Sequence, residues 1–145
     1  MDVKSVMTAD PACCSSGTSL REVAQMMVDN DCGEIPVVDE SHMPIGVVTD
    51  RDIVVRVIAQ GHDPASARAA DCMSMPATTV DLDCSLEECC ETMESQQIRR
   101  VPVVDTAGRL CGIVSLADVA LHGRDKKTGQ LVQEVSEPGQ STSAH

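Results

Sequence analysis

The hydrophobic and polar positions of this chain follow one pattern twice, at a constant interval of 66 residues. Residues 36–39 (Pro-Val-Val-Asp) return as residues 102–105, and the residues around Gly46 return around Gly112 without any insertion. A gap-free match of this length indicates two copies of one supersecondary unit that pack against each other. The two copies are therefore expected to form paired sites between them.

Each copy contains an amphipathic helix that begins at a capping box. Ser19 and Glu22, and again Ser85 and Glu88, have the spacing in which the serine accepts a bond from a backbone N–H and the glutamate bonds back. Apolar residues then recur at i, i+3, i+4 and i+7, the period of one helix face. They are Leu20, Val23, Ala24 and Met27 in the first copy, and Leu86, Cys89, Cys90 and Met93 in the second.

Short apolar runs after each helix predict two buried strands. These strands cover residues 35–38 and 45–48 in the first copy, and 101–104 and 110–114 in the second. A shorter strand is predicted before each capping box, near residues 12–14 and 78–80, and a second helix at 50–59 and 116–122. Each copy is thus predicted to be β-α-β-β-α, an α/β fold with helices on one face of a small sheet.

The repeat also divides the chain. Repeat 1 covers residues 2–61, a turn-rich linker covers 62–67, repeat 2 covers 68–123, and a polar tail covers 124–145. The tail is rich in Ser, Gln, Gly and Lys and is predicted to be mostly disordered. Because one repeat of about 60 residues would be only marginally stable, the pair is expected to be the folding unit.

Composition narrows the class of protein. The chain contains no Phe, Tyr or Trp, so its core must be aliphatic and any flat ligand must be held without aromatic stacking. A net charge of −12 argues against nucleic acids and anionic membranes as partners, since both are bound by clustered Lys and Arg. The first 20 residues have no signal-peptide pattern and no apolar stretch approaches 18 residues, so we expect a cytoplasmic protein with no membrane partner.

The eight cysteines do not have the spacing of a metal site. Cys13 and Cys14 are adjacent, as are Cys89 and Cys90, and the chain has no Cys-x-x-Cys pair for zinc. The four histidines show no ligand spacing either, so no metal site is predicted. The thiols are expected to be small buried hydrophobic groups, with a thiol redox switch as the alternative hypothesis.

A glycine, two apolar residues, a hydroxyl residue and, three positions later, an aspartate recur in both copies, at residues 46–52 and 112–118. The hydroxyl residue lies where a strand ends and a helix begins, and a helix N-terminus offers free N–H groups and partial positive charge to an anionic ligand. A carboxylate held there is able to accept two hydrogen bonds from the vicinal diol of a ribose. The same spacing is also a plain capping box, which is the alternative. A glycine within a strand favours close approach by a ligand or by another backbone.

The two copies together resemble a CBS-domain pair, the Bateman module. The resemblance rests on residues 36–39 and 102–105 followed by the glycine-to-aspartate motif and a helix, and it covers about residues 2–123. Residues 48–54 and 59–64 are further similar to small stand-alone bacterial CBS-pair proteins of the hypoxic-response type. The resemblance implies a pseudo-twofold module with two clefts, which usually forms a homodimer.

The resemblance also implies that the clefts bind adenosine-containing ligands such as AMP, ADP, ATP, NAD or S-adenosylmethionine. In each cleft the ribose would be held by a hydroxyl residue and a carboxylate, and the pocket for the base would be lined by an apolar residue and a proline. Two further hydroxyl residues would border the clefts. The implied residues are Thr49 with Asp52, Ser115 with Asp118, Ile35 with Pro36, Val101 with Pro102, and Thr8 with Ser74.

Positive charge for a phosphate is sparse in this acidic chain. Arg99 and Arg100 stand where nucleotide-binding members of the family have basic residues that face phosphates, whereas repeat 1 has Gly33 and Glu34 at these positions. The two clefts are therefore expected to differ in affinity. Arg51 is expected to face the central region as well. The alternatives are that the paired arginines only blunt a strand edge and that Arg51 forms a surface ion pair.

No catalytic arrangement is visible, so an enzyme is the least expected class. The resemblance implies a non-enzymatic sensor or regulatory module without a required cofactor, with an adenine nucleotide as its regulatory ligand. Two alternatives from other classes remain open at this point. One is a ligand-free dimeric interaction or stress-response protein that acts through a protein partner. The other is the thiol redox sensor.

Overall fold

The structure, a computed structural model, describes residues 2–122. The predicted tail at 124–145 lies outside these residues. After a short 3-10 turn at Val3–Ser5, the elements in chain order are β1 (Thr8–Ala9), α1 (Leu20–Asn30), β2 (Glu34–Val38), β3 (Pro44–Thr49), α2 (Asp50–Ile53), a π-helical turn (Val54–Ile58), α3 (Ala69–Cys72), β4 (Val80–Asp81), α4 (Leu86–Gln96), β5 (Arg100–Val104), β6 (Leu110–Ser115) and α5 (residues 116–122).

The two repeats build nearly the same sheet. In repeat 2, β5 and β6 are antiparallel, and β4 joins β5 in parallel, so the four-stranded order is β1-β6-β5-β4. In repeat 1, β2 and β3 form the matching antiparallel pair. The mixed α/β architecture of tandem repeats is therefore confirmed. The predicted short strand near residues 12–14, however, is reduced to a single parallel bridge from Cys14 to Val37.

The beginning of each repeat crosses to the sheet of the other repeat, which the sequence pattern did not predict. Thr8 pairs with Ile113 of β6, and Ser74 pairs in the same way with Val47 of β3. The Val47–Ser74 bridge is reciprocal, with N···O distances of 3.0 and 2.8 Å. The repeats therefore complete each other's sheets, in keeping with the expectation that the pair is the folding unit.

This crossing explains the glycines of the repeated motif. A Cβ atom on Gly46 would lie 2.7 Å from the backbone oxygen of Ser74, and one on Gly112 would collide with the Met7 side chain. Of the two explanations offered by the sequence, close approach by another chain segment is thus the one observed. These glycines give no support to a ligand.

Each repeat has its own aliphatic core. The first is built from α1, β2, β3 and the π-helical turn, and the second from β5, β6 and α4, with Val3 from the N-terminal turn inserted into it. The predicted helix stripes are buried, since Leu20 and Val23 are fully inaccessible and Met93 is 1% exposed. Burial of such side chains stabilises the fold by about 1.5–3 kcal/mol each. Within residues 2–122, none of the helices combines the length and the apolar character needed to cross a membrane.

Candidate functional site

A cleft of about 870 Å³ lies between the two repeats. Most of its lining residues come in pairs related by the interval of 66, so both repeats contribute equivalent positions. These pairs are Asp31 with Gln97, Gly33 with Arg99, Glu34 with Arg100, Thr49 with Ser115, Asp50 with Leu116, and Arg51 with Ala117; Ile98, Asp118 and Ala120 complete the lining.

The same local structure brings these residues together in each repeat. A helix begins directly where β3 and β6 end, and its first N–H bonds back to the residue that precedes the neighbouring strand. The N–H of Asp50 donates to the Gly33 carbonyl at 3.0 Å, and the N–H of Leu116 donates to the Arg99 carbonyl at 2.8 Å. The start of β2 or β5 therefore lies beside a helix N-terminus, where anions are favoured.

The motif in repeat 1 is engaged in structural bonds. Thr49 Oγ1 accepts from the N–H of Asp52 at 3.0 Å, and the Asp52 carboxylate accepts from the N–H of Thr49 at 3.0 Å, which is a complete capping box. The Ser74 hydroxyl lies 3.4 Å from both Asp52 carboxylate oxygens, and Arg56 Nε lies 3.9 Å from one of them. Asp52 is 8% exposed and does not line the cleft.

The motif in repeat 2 differs at its carboxylate. Ser115 Oγ accepts from the N–H of Asp118 at 3.0 Å, which is the first half of a cap. Among residues 2–122, no hydrogen bond or ion pair holds the Asp118 carboxylate, which lines the cleft at intermediate exposure. Asp118 is therefore available to a ligand in a way that Asp52 is not.

Three of the arginines that the structure describes line this cleft, and their side chains form no ion pair with a described carboxylate. Within the described residues the ion pairs are those of Arg56 and Arg109, so Arg51, Arg99 and Arg100 have none. The Nε atom of Arg100 is buried and lacks a hydrogen-bond partner. A buried guanidinium nitrogen without an acceptor is costly, and an anionic ligand would supply the acceptor.

Glu34 is one of the lining residues that the sequence analysis did not predict as site residues, and it is the most unusual of them. It is 9% exposed, and its Oε2 atom is buried without a hydrogen-bond partner. Desolvation raises the pKa of Glu34 from 4.5 to about 7; Arg100 lowers the pKa and Asp52 raises it further. The signal in the sequence was that Glu34 occupies the position equivalent to Arg100 in the other repeat. The burial of the Glu34 side chain was not visible in the sequence.

Comparison with known proteins decides the family. The family model of the CBS domain matches residues 3–59 and 69–124. The chain belongs to the CBS domain family. The resemblance predicted from the repeated motifs is therefore confirmed.

Several CBS proteins are similar over most of this chain. Hypoxic response protein 1 of Mycobacterium tuberculosis is 35% identical over 135 residues, which cover 93% of this chain and 94% of that protein. A crystal structure of Hypoxic Response Protein I with two coordinated zinc ions superimposes with a TM-score of 0.78 at 36% identity, over 84% of this chain and 98% of that one. An uncharacterized protein of Methanopyrus kandleri is 40% identical over 98 residues, and this match spans 68% of the chain but half of that protein's length.

Adenosyl ligands are present in another of the similar structures. The CBS domain pair of protein MJ0100, in complex with 5-methylthioadenosine and S-adenosyl-L-methionine, has a TM-score of 0.78 and 26% identity. The match covers 87% of this chain and 98% of that CBS pair. A CBS pair of this fold thus binds adenosyl ligands.

The predicted site residues fall into two groups around the central cleft. Those that line it are Thr49, Arg51, Arg99, Arg100, Ser115 and Asp118; those that do not are Thr8, Ile35, Pro36, Asp52, Ser74, Val101 and Pro102. Thr8 and Ser74 instead lie in the crossing segments, and the Ile-Pro and Val-Pro pairs are buried within β2 and β5. The cleft thus collects the charged and hydroxyl groups but not the predicted apolar base pockets.

Of the eight cysteines, Cys14, Cys72 and Cys89 are buried, and the other five are half-buried. Burial raises the pKa of Cys14 to about 12 and that of Cys89 to about 11, whereas a reactive thiol needs a lowered pKa. This disfavours the redox alternative. Within residues 2–122, no group of three or more His, Cys, Asp and Glu side chains is arranged to hold a metal ion.

Proposed function

We propose that this chain is a non-enzymatic regulatory protein that binds adenosine-containing ligands in the cleft between its two CBS repeats. The observation that carries the proposal is the convergence of Arg51, Arg99 and Arg100 on one cleft of an acidic chain, where none of them forms an ion pair with another residue of the described part. The adenosyl ligands of the MJ0100 CBS pair support the ligand class.

The chemistry of the cleft fits the parts of such a ligand. The free Asp118 carboxylate and the Ser115 hydroxyl lie at one helix N-terminus and offer acceptors to ribose hydroxyl groups. Arg99 and Arg100, at the start of β5, offer donors to an anionic group next to the ribose. No aromatic side chain is available for stacking on the base, so the expected affinity is micromolar or weaker, about −8 kcal/mol or less favourable.

Calorimetric titration with AMP, ADP, ATP, NAD and S-adenosylmethionine tests this function. Asp118→Ala is expected to weaken binding of the best ligand about tenfold or more, because it removes charge-assisted hydrogen bonds worth roughly 1.5–3 kcal/mol each. Asp83→Ala is the matched control, since Asp83 is an exposed aspartate of the same repeat outside the cleft. No heat from any of the five ligands with the unmodified protein would refute the proposal.

We also propose that the protein acts as a homodimer. The π-helical turn after α2 presents Val54, Val55 and Ile58 to solvent at 54%, 41% and 54% exposure, and Val28 on α1 is 72% exposed. A helix face of this kind is normally covered by another apolar surface. A second copy of the chain provides one, because an isologous dimer places the same patch on both sides of the contact.

The double variant Val54→Glu, Ile58→Glu is expected to sediment as a monomer, because it buries like charges against each other across the proposed contact. Met75→Glu is the control, since it adds a charge to an exposed apolar residue outside the helices. A dimer that survives the double substitution, or an unmodified protein that is monomeric at micromolar concentration, would contradict this assignment.

A further inference from the structure

Two side chains that line the same cleft, one acidic and one basic, each contain a buried polar atom with no hydrogen-bond partner among residues 2–122. The two atoms are Oε2 of Glu34 and Nε of Arg100, which occupy equivalent positions at the starts of β2 and β5. No ion pair within 4.0 Å joins the two side chains, although their charges act on each other. An ionised Glu34 therefore has a nearby cation to which it is not yet bonded.

We propose that Glu34 sets the charge selectivity of the cleft. When Glu34 is ionised, its carboxylate competes with the anionic group of a ligand for Arg100. Binding of that anionic group is therefore accompanied by the uptake of one proton by Glu34. This inference rests on the proposed binding of adenosyl ligands in the cleft. It adds a residue and a protonation step that select among such ligands.

The surroundings of Glu34 favour this behaviour. Burial raises its pKa to about 7, so the carboxyl group changes charge within the physiological range. The named charges acting on it are those of Arg100 on β5, which favours the anion, and Asp52 on α2, which opposes it. An anion bound at Arg100 would cancel the favourable charge and leave the unfavourable one, so the proton should be held more tightly.

The other charged groups around the cleft make the two halves unequal. Among residues 2–122, the half from repeat 1 lines the cleft with the carboxyl groups of Glu34 and Asp50 and with one arginine, Arg51. The half from repeat 2 carries Arg99 and Arg100 against Asp118. A single anionic group on the repeat 2 side is matched by the two arginines there. A polyphosphate that extends towards repeat 1 is repelled by the carboxylates on that side. The preferred class is therefore an adenosyl ligand with a single anionic group.

Calorimetry with adenosine, AMP and ATP at pH 6 and pH 8 tests the proposal, using the unmodified protein and Glu34→Gln. Between these pH values the affinity of the unmodified protein for AMP should fall about tenfold more than that of the variant, as expected for a linked group of pKa near 7. The titration of the AMP phosphate itself cancels in this comparison. Adenosine, which has no anionic group, should bind equally at both pH values, and the preference for AMP over ATP should shrink in the variant.

Proton uptake gives a second, independent readout. Titrations at pH 8 in buffers of different ionisation enthalpy should show uptake approaching one proton per AMP bound, and this uptake should be absent in Glu34→Gln. Glu40→Gln is the control, because Glu40 is exposed in the turn between β2 and β3. If the variant does not fold, the carboxyl resonance of Glu34 in the unmodified protein replaces it: its titration midpoint should rise when AMP is added.

The outcomes separate the two proposals. Binding of AMP with the same pH dependence and proton uptake in both proteins overturns the role of Glu34 and leaves the proposed function intact. An unchanged Glu34 titration midpoint upon AMP binding does the same. Failure of adenosine, AMP and ATP to bind either protein at either pH overturns this inference, whereas the proposed function falls only if ADP, NAD and S-adenosylmethionine fail to bind as well.

Discussion

Replacing Asp52 by alanine is expected to lower the free energy of unfolding by about 3 kcal/mol, whereas the same substitution at Asp118 should lower it by less than about 1 kcal/mol. The two aspartates are equivalent by the repeat, but only Asp52 is buried in a bonded network. Its removal takes the acceptor from the N–H of Thr49 and from the Ser74 hydroxyl. The ion pair with Arg56 adds little, because that arginine side chain is 51% exposed.

Urea denaturation of the two alanine variants measures this difference directly. Asp118→Ala serves as the matched control, since Ser115 keeps its bond to the backbone of residue 118 and Asp118 has no side-chain bond to another residue of 2–122 that could be lost. Ligand affinity should respond differently from stability: Asp118→Ala should remain folded but bind the ligand more weakly. Equal losses of stability in the two variants would mean that the repeats use their carboxylates alike.

The division of roles between these aspartates marks a limit of sequence-based prediction. The spacing from Thr49 to Asp52 and from Ser115 to Asp118 is the same, and it predicted both a capping box and a ligand site. Which of the two is formed depends on where the carboxylate turns, and this is decided by neighbours distant in sequence. Ser74 lies 22 positions from Asp52, and no local pattern connects them.

The elements themselves were largely predictable, for physical reasons that also explain the omissions. The stripe from Leu20 to Met27 has the full helical period, and the helix α1 covers it. The strand Thr8–Ala9 has two residues, both exposed, so it carries no periodic signal. It forms only because repeat 2 presents the edge of β6 to it. Short pairings of this kind are properties of the packed pair and not of the local sequence.

The chemistry of the cleft shows the same limit at Glu34. The sequence revealed that a glutamate replaces the arginine of the other repeat, and from this a difference in affinity was predicted. It did not reveal that the glutamate is 9% exposed or that one of its oxygens lacks a partner. Desolvation depends on the packing of both repeats, so an altered pKa emerges only when the fold is assembled.

This buried carboxyl group should make the stability of the protein fall as pH rises from 5 to 8. The folded state raises the pKa of Glu34 from 4.5 to about 7, so between these values the folded protein binds more protons than the unfolded chain. The stabilisation from the protonated group is complete below the unfolded pKa and is lost as pH rises through the folded one. Over this interval the loss due to Glu34 is about 2–3 kcal/mol.

Glu34→Gln should remove this contribution, because an amide does not titrate. The measurement is the free energy of unfolding at pH 5 and pH 8 for both proteins, and the difference between their two pH slopes isolates residue 34. Asp105, whose pKa is lowered from 3.8 by the N–H of Arg109, is ionised in both the folded and the unfolded chain over this interval and so adds no slope. Parallel pH profiles for the two proteins would show that ionised Glu34 does not lower the free energy of unfolding, because Arg100 is its partner. This result would remove the basis for the proposed competition between Glu34 and a ligand.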